Sequence, residues 1–128
     1  MIDNLREKFF GRTVADEIGS LPYDLEIDSI PFRDIVGSGR RAFALSGDNL
    51  LEFVSRSLET MLACGAVLIA ADTNGRLRPT RKYGDIHRDI ISNIINEWEK
   101  NGRPDPDIDF IWFTIHPEFW EKSANSKK

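Results

Sequence analysis

The stretch that decides the fold runs from Asp48 to Gly102, and its centre reads Ala66-Val-Leu-Ile-Ala-Ala71, Asp72-Thr-Asn-Gly75, Arg76-Leu-Arg-Pro-Thr80. The first of these segments would be apolar on both faces of an extended chain, so it predicts an interior β-strand. Asn74 and Gly75 favour the positive φ angles of a tight hairpin turn. Because Pro79 has no amide hydrogen to donate, the returning strand is predicted to be short or at a sheet edge.

Two amphipathic helices are predicted on either side of this hairpin. The first begins near Ser46 or Asp48, and its apolar side chains recur at helical spacing. They are Leu50, Leu51, Val54, Leu58, Met61 and Leu62. The second begins at Asp85, and its apolar positions are Ile86, Ile90, Ile91, Ile94, Ile95 and Trp98. Gly65 and Gly102 are placed to end the two helices.

A second interior strand is predicted from Ile108 to Ile115, where apolar side chains again occupy both faces. The elements together predict an α+β fold, in which a small, mostly antiparallel sheet packs against two or three helices. We expect a single α+β domain over residues 1–122, followed by a flexible polar tail over residues 123–128.

The segment between Pro22 and Pro31 alternates acidic and apolar residues, and its flanking prolines favour an edge strand or an ordered loop. As a strand it would place Asp24, Glu26 and Asp28 on one face. Before it, Thr13 and Asp16 have the spacing of a helix N-cap, which predicts a short helical turn that contains Val14 and Ile18 and ends before Gly19. After it, a glycine-containing loop is expected from Pro31 to Arg41. Its Gly-Ser-Gly-Arg-Arg sequence suggests a phosphate cradle but lacks the Lys-Ser/Thr ending of a P-loop, so a plain connection is favoured.

The bulk properties narrow the range of functions. The chain has 128 residues, a net charge of −4 and a single cysteine, Cys64. An acidic balance argues against a generic nucleic-acid binder, which needs surplus cations to neutralise phosphates. Cys64 alone cannot form an internal disulfide, and we expect it to be a small core residue. With no apolar run long enough to span a bilayer and no signal-peptide pattern, we expect a soluble cytoplasmic protein.

No set of residues predicts catalysis, a metal site or a cofactor. His87 and His116 have no second histidine or cysteine at metal-ligand spacing. Asp105, Asp107 and Asp109 alternate as in a calcium loop, but the glycine and glutamate of an EF-hand are missing, so a solvated acidic loop is favoured. An enzyme would become the better interpretation if a deep pocket gathered one histidine with two carboxylates.

Leu58–Thr80 resembles the end of a recognition helix followed by the wing of a winged-helix DNA-binding regulator. That resemblance implies phosphate contacts from Arg76, Arg78, Arg81 and Lys82. The acidic chain and the absence of predicted helix over residues 22–39 count against this alternative.

The region from Leu50 to Trp120 is similar in plan to bacterial immunity proteins, which neutralise the toxin domains of contact-dependent growth-inhibition systems. The similarity lies in a helix and strand around Gly65-Ala-Val-Leu-Ile69, a turn at Asn74-Gly-Arg-Leu77, an Ile-rich helix ending at Trp98, an aromatic strand Phe110-Ile-Trp-Phe113, and Phe119-Trp120.

This resemblance implies a non-catalytic protein that binds a cognate toxin, often a nuclease, through charge and shape complementarity. The short apolar runs predict that no membrane is a partner, and the acidic charge argues against nucleic acid, which stays the partner only in the winged-helix alternative. The oligomeric state is left open. An acidic inhibitor can occlude a basic cleft with carboxylates. The candidate partner-binding residues are Asp24, Glu26, Asp28, Asp105, Asp107, Asp109 and Trp120, for each of which an ordinary solvated or core position is the alternative.

Overall fold

The computed structural model describes residues 2–7, 10–106 and 110–120. The helices are α1 (Val14–Ile27), α2 (Phe32–Gly37), a π-helical turn (Ser38–Ala42), α3 (Gly47–Ala63) and α4 (His87–Lys100). The strands are β1 (Ile30–Pro31), β2 (Val67–Ala71), β3 (Leu77–Pro79) and β4 (Trp112–Thr114). The α+β class is therefore confirmed, whereas the predicted tail over residues 123–128 lies outside the described residues.

The four strands form one sheet in the order β1-β4-β2-β3, and each pair of neighbours is antiparallel. The predicted interior positions of β2 and β4 are confirmed, with Leu68 opposite Phe113. The two outer strands, β1 and β3, each contain a proline, Pro31 and Pro79. Proline is tolerated at these positions because an outer strand needs only one side of its backbone for pairing.

The β2–β3 hairpin closes through Asp72 rather than through two residues of positive φ. The Gly75 amide donates to the Asp72 carbonyl at 3.0 Å, and Gly75 has φ +78°. The Asp72 carboxylate also accepts hydrogen bonds from the amides of Asn74, at 2.8 Å, and Arg76, at 3.0 Å. Asn74 has no positive φ, so the predicted two-residue turn is instead a three-residue loop ending in a left-handed glycine.

The core forms where α3 packs against its neighbours. The largest completely buried side chains include Phe32, Phe53 and Phe113. The predicted stripe of α3 is confirmed for most of its members, although Leu51 is only partly buried. Cys64 was expected in the core but is exposed, because it follows the last turn of α3 and its thiol points to the Met61 carbonyl.

The main error of the sequence-based prediction concerns the extent of the first helix. The helix that was expected to end before Gly19 continues through Pro22 to Ile27, so residues 23–27 belong to α1 and form neither an edge strand nor an ordered loop. The predicted cap is confirmed as a full capping box, with Thr13 and Asp16 each hydrogen-bonding the other's amide. The buried residues of α1 are Val14, Ile18, Leu21 and Leu25. Their helical spacing gives α1 an apolar stripe, and burial of that stripe outweighs the lost hydrogen bond at Pro22 inside the helix.

Replacement of the cap tests whether α1 depends on it. Thr13→Ala is expected to lower the free energy of unfolding by about 1 kcal/mol, within the usual range of about 0.5–2 kcal/mol for such caps. Chemical denaturation followed by circular dichroism measures the change. Thr73→Ala is the matched control, because Thr73 is an exposed hairpin residue outside any helix, and it should have little effect.

The hairpin carboxylate predicts a pH dependence. The amides of Arg76 and Asn74 lower the pKa of Asp72 below 3.8. The resulting stabilisation is fully present above pH 3.8 and is lost as the pH falls through the lowered pKa. The difference in unfolding free energy between the parent and Asp72→Ala should therefore be largest near neutral pH and shrink towards pH 2. A difference that grows on acidification would contradict this assignment.

Candidate partner-binding site

A groove lies between α1 and α2 and has a volume of about 330 Å³. Four carboxylates line it: Glu17 and Asp24 from α1, Asp28 at the C-cap of α1, and Asp34 from α2. We call this feature the acidic groove. Apolar side chains also line it, among them Leu21, Ile35 and Phe53, and no Lys or Arg is among its described lining residues. The groove thus combines apolar surface with negative charge.

Most of these carboxylates have no cationic partner in the part of the chain that the structure describes. Glu17 pairs with Arg12 at 3.1 Å. Within the described ranges, Asp24, Asp28 and Asp34 form no ion pair, and the hydrogen bonds of the first two come from Ser20 and Ser29. They are exposed, so water solvates them in the free protein. A cation from another molecule can therefore reach them without displacing an internal partner.

The position of the acids within α1 opposes helix stability. Asp24 and Glu26 lie in the last turn of α1, Asp28 is its C-cap, and no basic residue occupies that turn. The C-terminal end of a helix carries a partial negative charge, so each carboxylate is unfavourable there by about 0.3–1 kcal/mol. Such a local conflict between sequence and structure is typical of functional sites.

Two large apolar side chains occupy the solvent side of α1, where sequence analysis did not expect them. Tyr23 is 73% exposed and Ile27 is 84% exposed. The predicted strand placed Ile27 beside Leu25 on a buried face, whereas the helix buries Leu25 and leaves Ile27 outside. The sequence could have indicated that Ile27 is exposed, because Ile27 does not fit the helical spacing of the buried residues of α1.

The helix also rearranges the three acids that were predicted to share one face. Successive helical residues are about 100° apart, so Asp24 and Glu26 lie about 160° apart on α1. Asp24 and Asp28 remain on the side of the acidic groove. Glu26 lies on the other side of the Tyr23–Ile27 pair, so the acids border these apolar side chains instead of forming a single row.

The second predicted acidic segment is only partly described. Asp107 and Asp109 lie outside the described residues. Asp105 contacts two cations, the guanidinium groups of Arg40 at 2.7 Å and Arg41 at 3.6 Å. Asp105 does not line the acidic groove, and its charge is already balanced within the chain. Trp120, predicted as an exposed anchor, is partly buried, while the neighbouring Phe119 is 65% exposed.

The Gly-Ser-Gly-Arg-Arg sequence has a structural role in the fold. It was predicted to be a loop, but it forms the end of α2 and the π-helical turn. Gly39 is buried against Leu50 and Phe53, which leaves no room for a side chain. Arg40 contacts Asp105, donates to the Arg103 carbonyl and lies 5.8 Å from the centre of the Trp98 ring. Its guanidinium is thus occupied in holding the loop after α4.

The hairpin cations that a DNA-binding wing would use mostly have acidic partners. Arg78 pairs with Asp72 at 3.7 Å, and Arg81 pairs with Asp85 at 2.9 Å. Lys82 approaches Glu97 at 3.4 Å. The structure nevertheless removes one argument against a winged helix, because α1, α2 and α3 all precede the hairpin.

The histidines do not assemble a catalytic group within the described ranges. His87 lines a pocket in which Asp85 is the carboxylate among the described lining residues. His116 approaches Glu118 at 3.5 Å near the end of the described chain. No group of three or more His, Cys, Asp or Glu side chains could hold a metal ion in the part of the chain that the structure describes. None of the described helices is long and apolar enough to cross a membrane.

Comparison with known proteins identified no relative: no family model, no curated protein and no solved structure matches this chain.

The unfavourable charges of α1 lead to a prediction about stability. Asp24→Asn and Asp28→Asn should each raise the free energy of unfolding by about 0.3–1 kcal/mol, because each removes a negative charge from the negative end of the helix. Urea denaturation at low ionic strength measures the effect.

Asp16→Asn is the matched control, because it makes the same substitution at the other end of the same helix. Thr13 lowers the pKa of Asp16 through hydrogen bonds, so loss of this charge should destabilise the protein. If all three variants shift stability in the same direction, the helix-end explanation is wrong.

Proposed function

We propose that this chain is a non-catalytic binding protein that neutralises a cationic protein partner through the acidic end of α1. More specifically, we propose a cytoplasmic immunity protein that neutralises the toxin domain of a bacterial contact-dependent growth-inhibition system, as the sequence resemblance implies. The main support is the separation of charge along the chain. Residues 13–32 contain five acidic residues and no Lys, Arg or His.

The five acidic residues of segment 13–32 account for the negative net charge of the chain. The whole chain has 21 acidic and 17 basic residues, so without those five acids the remainder would be close to neutral. The negative charge is therefore not a uniform feature that serves solubility alone. A localised negative potential attracts a cationic partner and raises its association rate.

The mechanism of neutralisation would be occlusion of the toxin. A nuclease holds phosphate groups in a basic cleft, and exposed carboxylates that enter the cleft compete for the same cations. Asp24, Asp28 and Asp34 are available for this purpose because they are exposed and form no ion pair with any residue that the structure describes. Binding would need no chemical step from this chain.

The test begins with the neighbouring gene, which should encode a protein with a toxin domain. The purified toxin domain should bind this chain with a dissociation constant of about 1 nM or below. The triple variant Asp24→Lys, Asp28→Lys, Asp34→Lys should slow association roughly 10- to 1,000-fold at low ionic strength, as measured by surface plasmon resonance. Raising the salt concentration should reduce the difference in association rate between the parent and the triple variant, because salt screens charges.

Glu59→Lys is the matched control, because Glu59 is an exposed acid on α3 that does not line the acidic groove. It should bind nearly as the parent does, and circular dichroism should show that all variants fold. If no toxin is encoded nearby, or if its domain does not bind, the proposal fails. If Glu59→Lys weakens binding as much as the triple variant does, net charge and not the acidic groove governs association.

A second candidate is a winged-helix DNA-binding protein, which the order of three helices before a hairpin favours. Arg76 is the hairpin cation without an ion pair among the described residues, so it would be the first phosphate contact. Duplex DNA should then bind in a salt-sensitive manner, and Arg76→Ala with Arg78→Ala should weaken that binding. If no mobility shift occurs at low salt, this candidate is rejected.

A further inference from the structure

We infer that Tyr23 and Ile27 form the apolar centre of the surface that binds the cationic partner, and that this partner presents an apolar pocket bordered by Lys or Arg. The inference rests on the proposed function, since it concerns the same partner. It adds the part of the interface that determines how long the complex lasts, which the carboxylates alone do not supply.

The first argument is the exposure of the two side chains. Tyr23 and Ile27 are four residues apart, so they are neighbours on the surface of α1. The opposite side of the helix already packs into the core through residues such as Leu21 and Leu25. The residues that the structure describes therefore leave both Tyr23 and Ile27 largely uncovered. Burial against another molecule would remove their apolar surface from water.

The second argument is the arrangement of charge around the pair. Glu26 lies three residues after Tyr23, and Asp24 lies three residues before Ile27, so the two acids lie on opposite sides of the pair. Asp28 follows at the end of the helix. Specific interfaces commonly have this pattern, in which central aromatic or apolar anchors are surrounded by polar residues.

The same charges indicate which kind of molecule binds the surface around Tyr23 and Ile27. In a symmetric dimer formed through this surface, each copy would bring its Asp24, Glu26 and Asp28 towards the equivalent acids of the other copy. Nucleic acids and anionic lipid headgroups would also be repelled. A protein surface with exposed Lys or Arg is complementary in charge, and only a protein also offers a shaped apolar pocket for Tyr23 and Ile27.

The experiment uses the full chain and, as the probe, the purified toxin domain encoded by the neighbouring gene. The double variant Tyr23→Ser, Ile27→Ser should accelerate dissociation at least about thirtyfold, which is the change expected for hot-spot residues. Its association rate should change little, and the faster dissociation should persist from about 0.05 to 0.5 M salt because apolar contacts are not screened. The charge-reversal variant at Asp24, Asp28 and Asp34 should instead mainly slow association, and its effect should shrink as the salt concentration rises.

Ile86→Ser is the matched control, since Ile86 is 59% exposed but lies at the start of α4. Ile86→Ser should leave the dissociation rate of the complex unchanged. Urea denaturation should give the double variant the same stability as the parent, because the substituted side chains are exposed. A loss of stability that accounts for the weaker binding would overturn the inference.

The outcomes separate this inference from the proposed function. Suppose that charge reversal weakens binding while the double variant Tyr23→Ser, Ile27→Ser binds as the parent does. Tyr23 and Ile27 are then not the apolar centre of the binding surface, and the proposed function stands. If the toxin domain does not bind the parent, both are wrong. If sedimentation equilibrium shows that the chain alone dimerises and that the double variant is a monomer, the occupant is a second copy and the inference is overturned.

Discussion

The packing of α1 on α3 is the contact on which the candidate site depends. Val14, Ile18, Leu21 and Leu25 are all buried on one side of α1. Their burial compensates for Pro22, which removes a hydrogen bond from the helix interior, and for the carboxylates at the negative end of the helix. Once α1 is fixed in this way, every other side chain of the segment has its direction set by the helical repeat. The acidic groove and the exposed Tyr23–Ile27 pair both follow from that single packing arrangement.

The distribution of ion pairs distinguishes two kinds of charge in this protein. Arg40 with Asp105, Arg81 with Asp85, and Lys82 with Glu97 are pairs within the chain, and they join neighbouring segments. Most of the carboxylates at the end of α1 have no such partners among the described residues. A binding surface has to keep its charge unbalanced until the partner arrives, which costs some stability in the free protein. This difference is the physical basis for placing the proposed function on α1 and not on the loop after α4.

The amount of the fold that could be predicted depended on the length of the apolar pattern. Helix α3 contains several turns of regular spacing, and β2 is apolar on both faces, so both were predicted with nearly correct positions. Segment 23–30 was predicted incorrectly because an alternating pattern over eight residues fits a strand, and the two flanking prolines favoured an extended chain. The cap at Thr13 was recognised, but its helix was expected to end at Gly19 and not to continue through Pro22. Tertiary burial overrode these local signals.

The sequence by itself determined the α+β class, the interior positions of β2 and β4, the edge position of β3 and the clustering of acids between residues 13 and 32. These features depend on local periodicity, on proline chemistry and on charge, all of which can be read along the chain. Only the tertiary structure decided that those acids lie on a helix, that Leu25 is buried while Ile27 is exposed, and that Arg40 and Asp105 neutralise each other. The reason is that burial and ion pairing depend on which distant segment lies opposite a residue, and local sequence does not specify that neighbour.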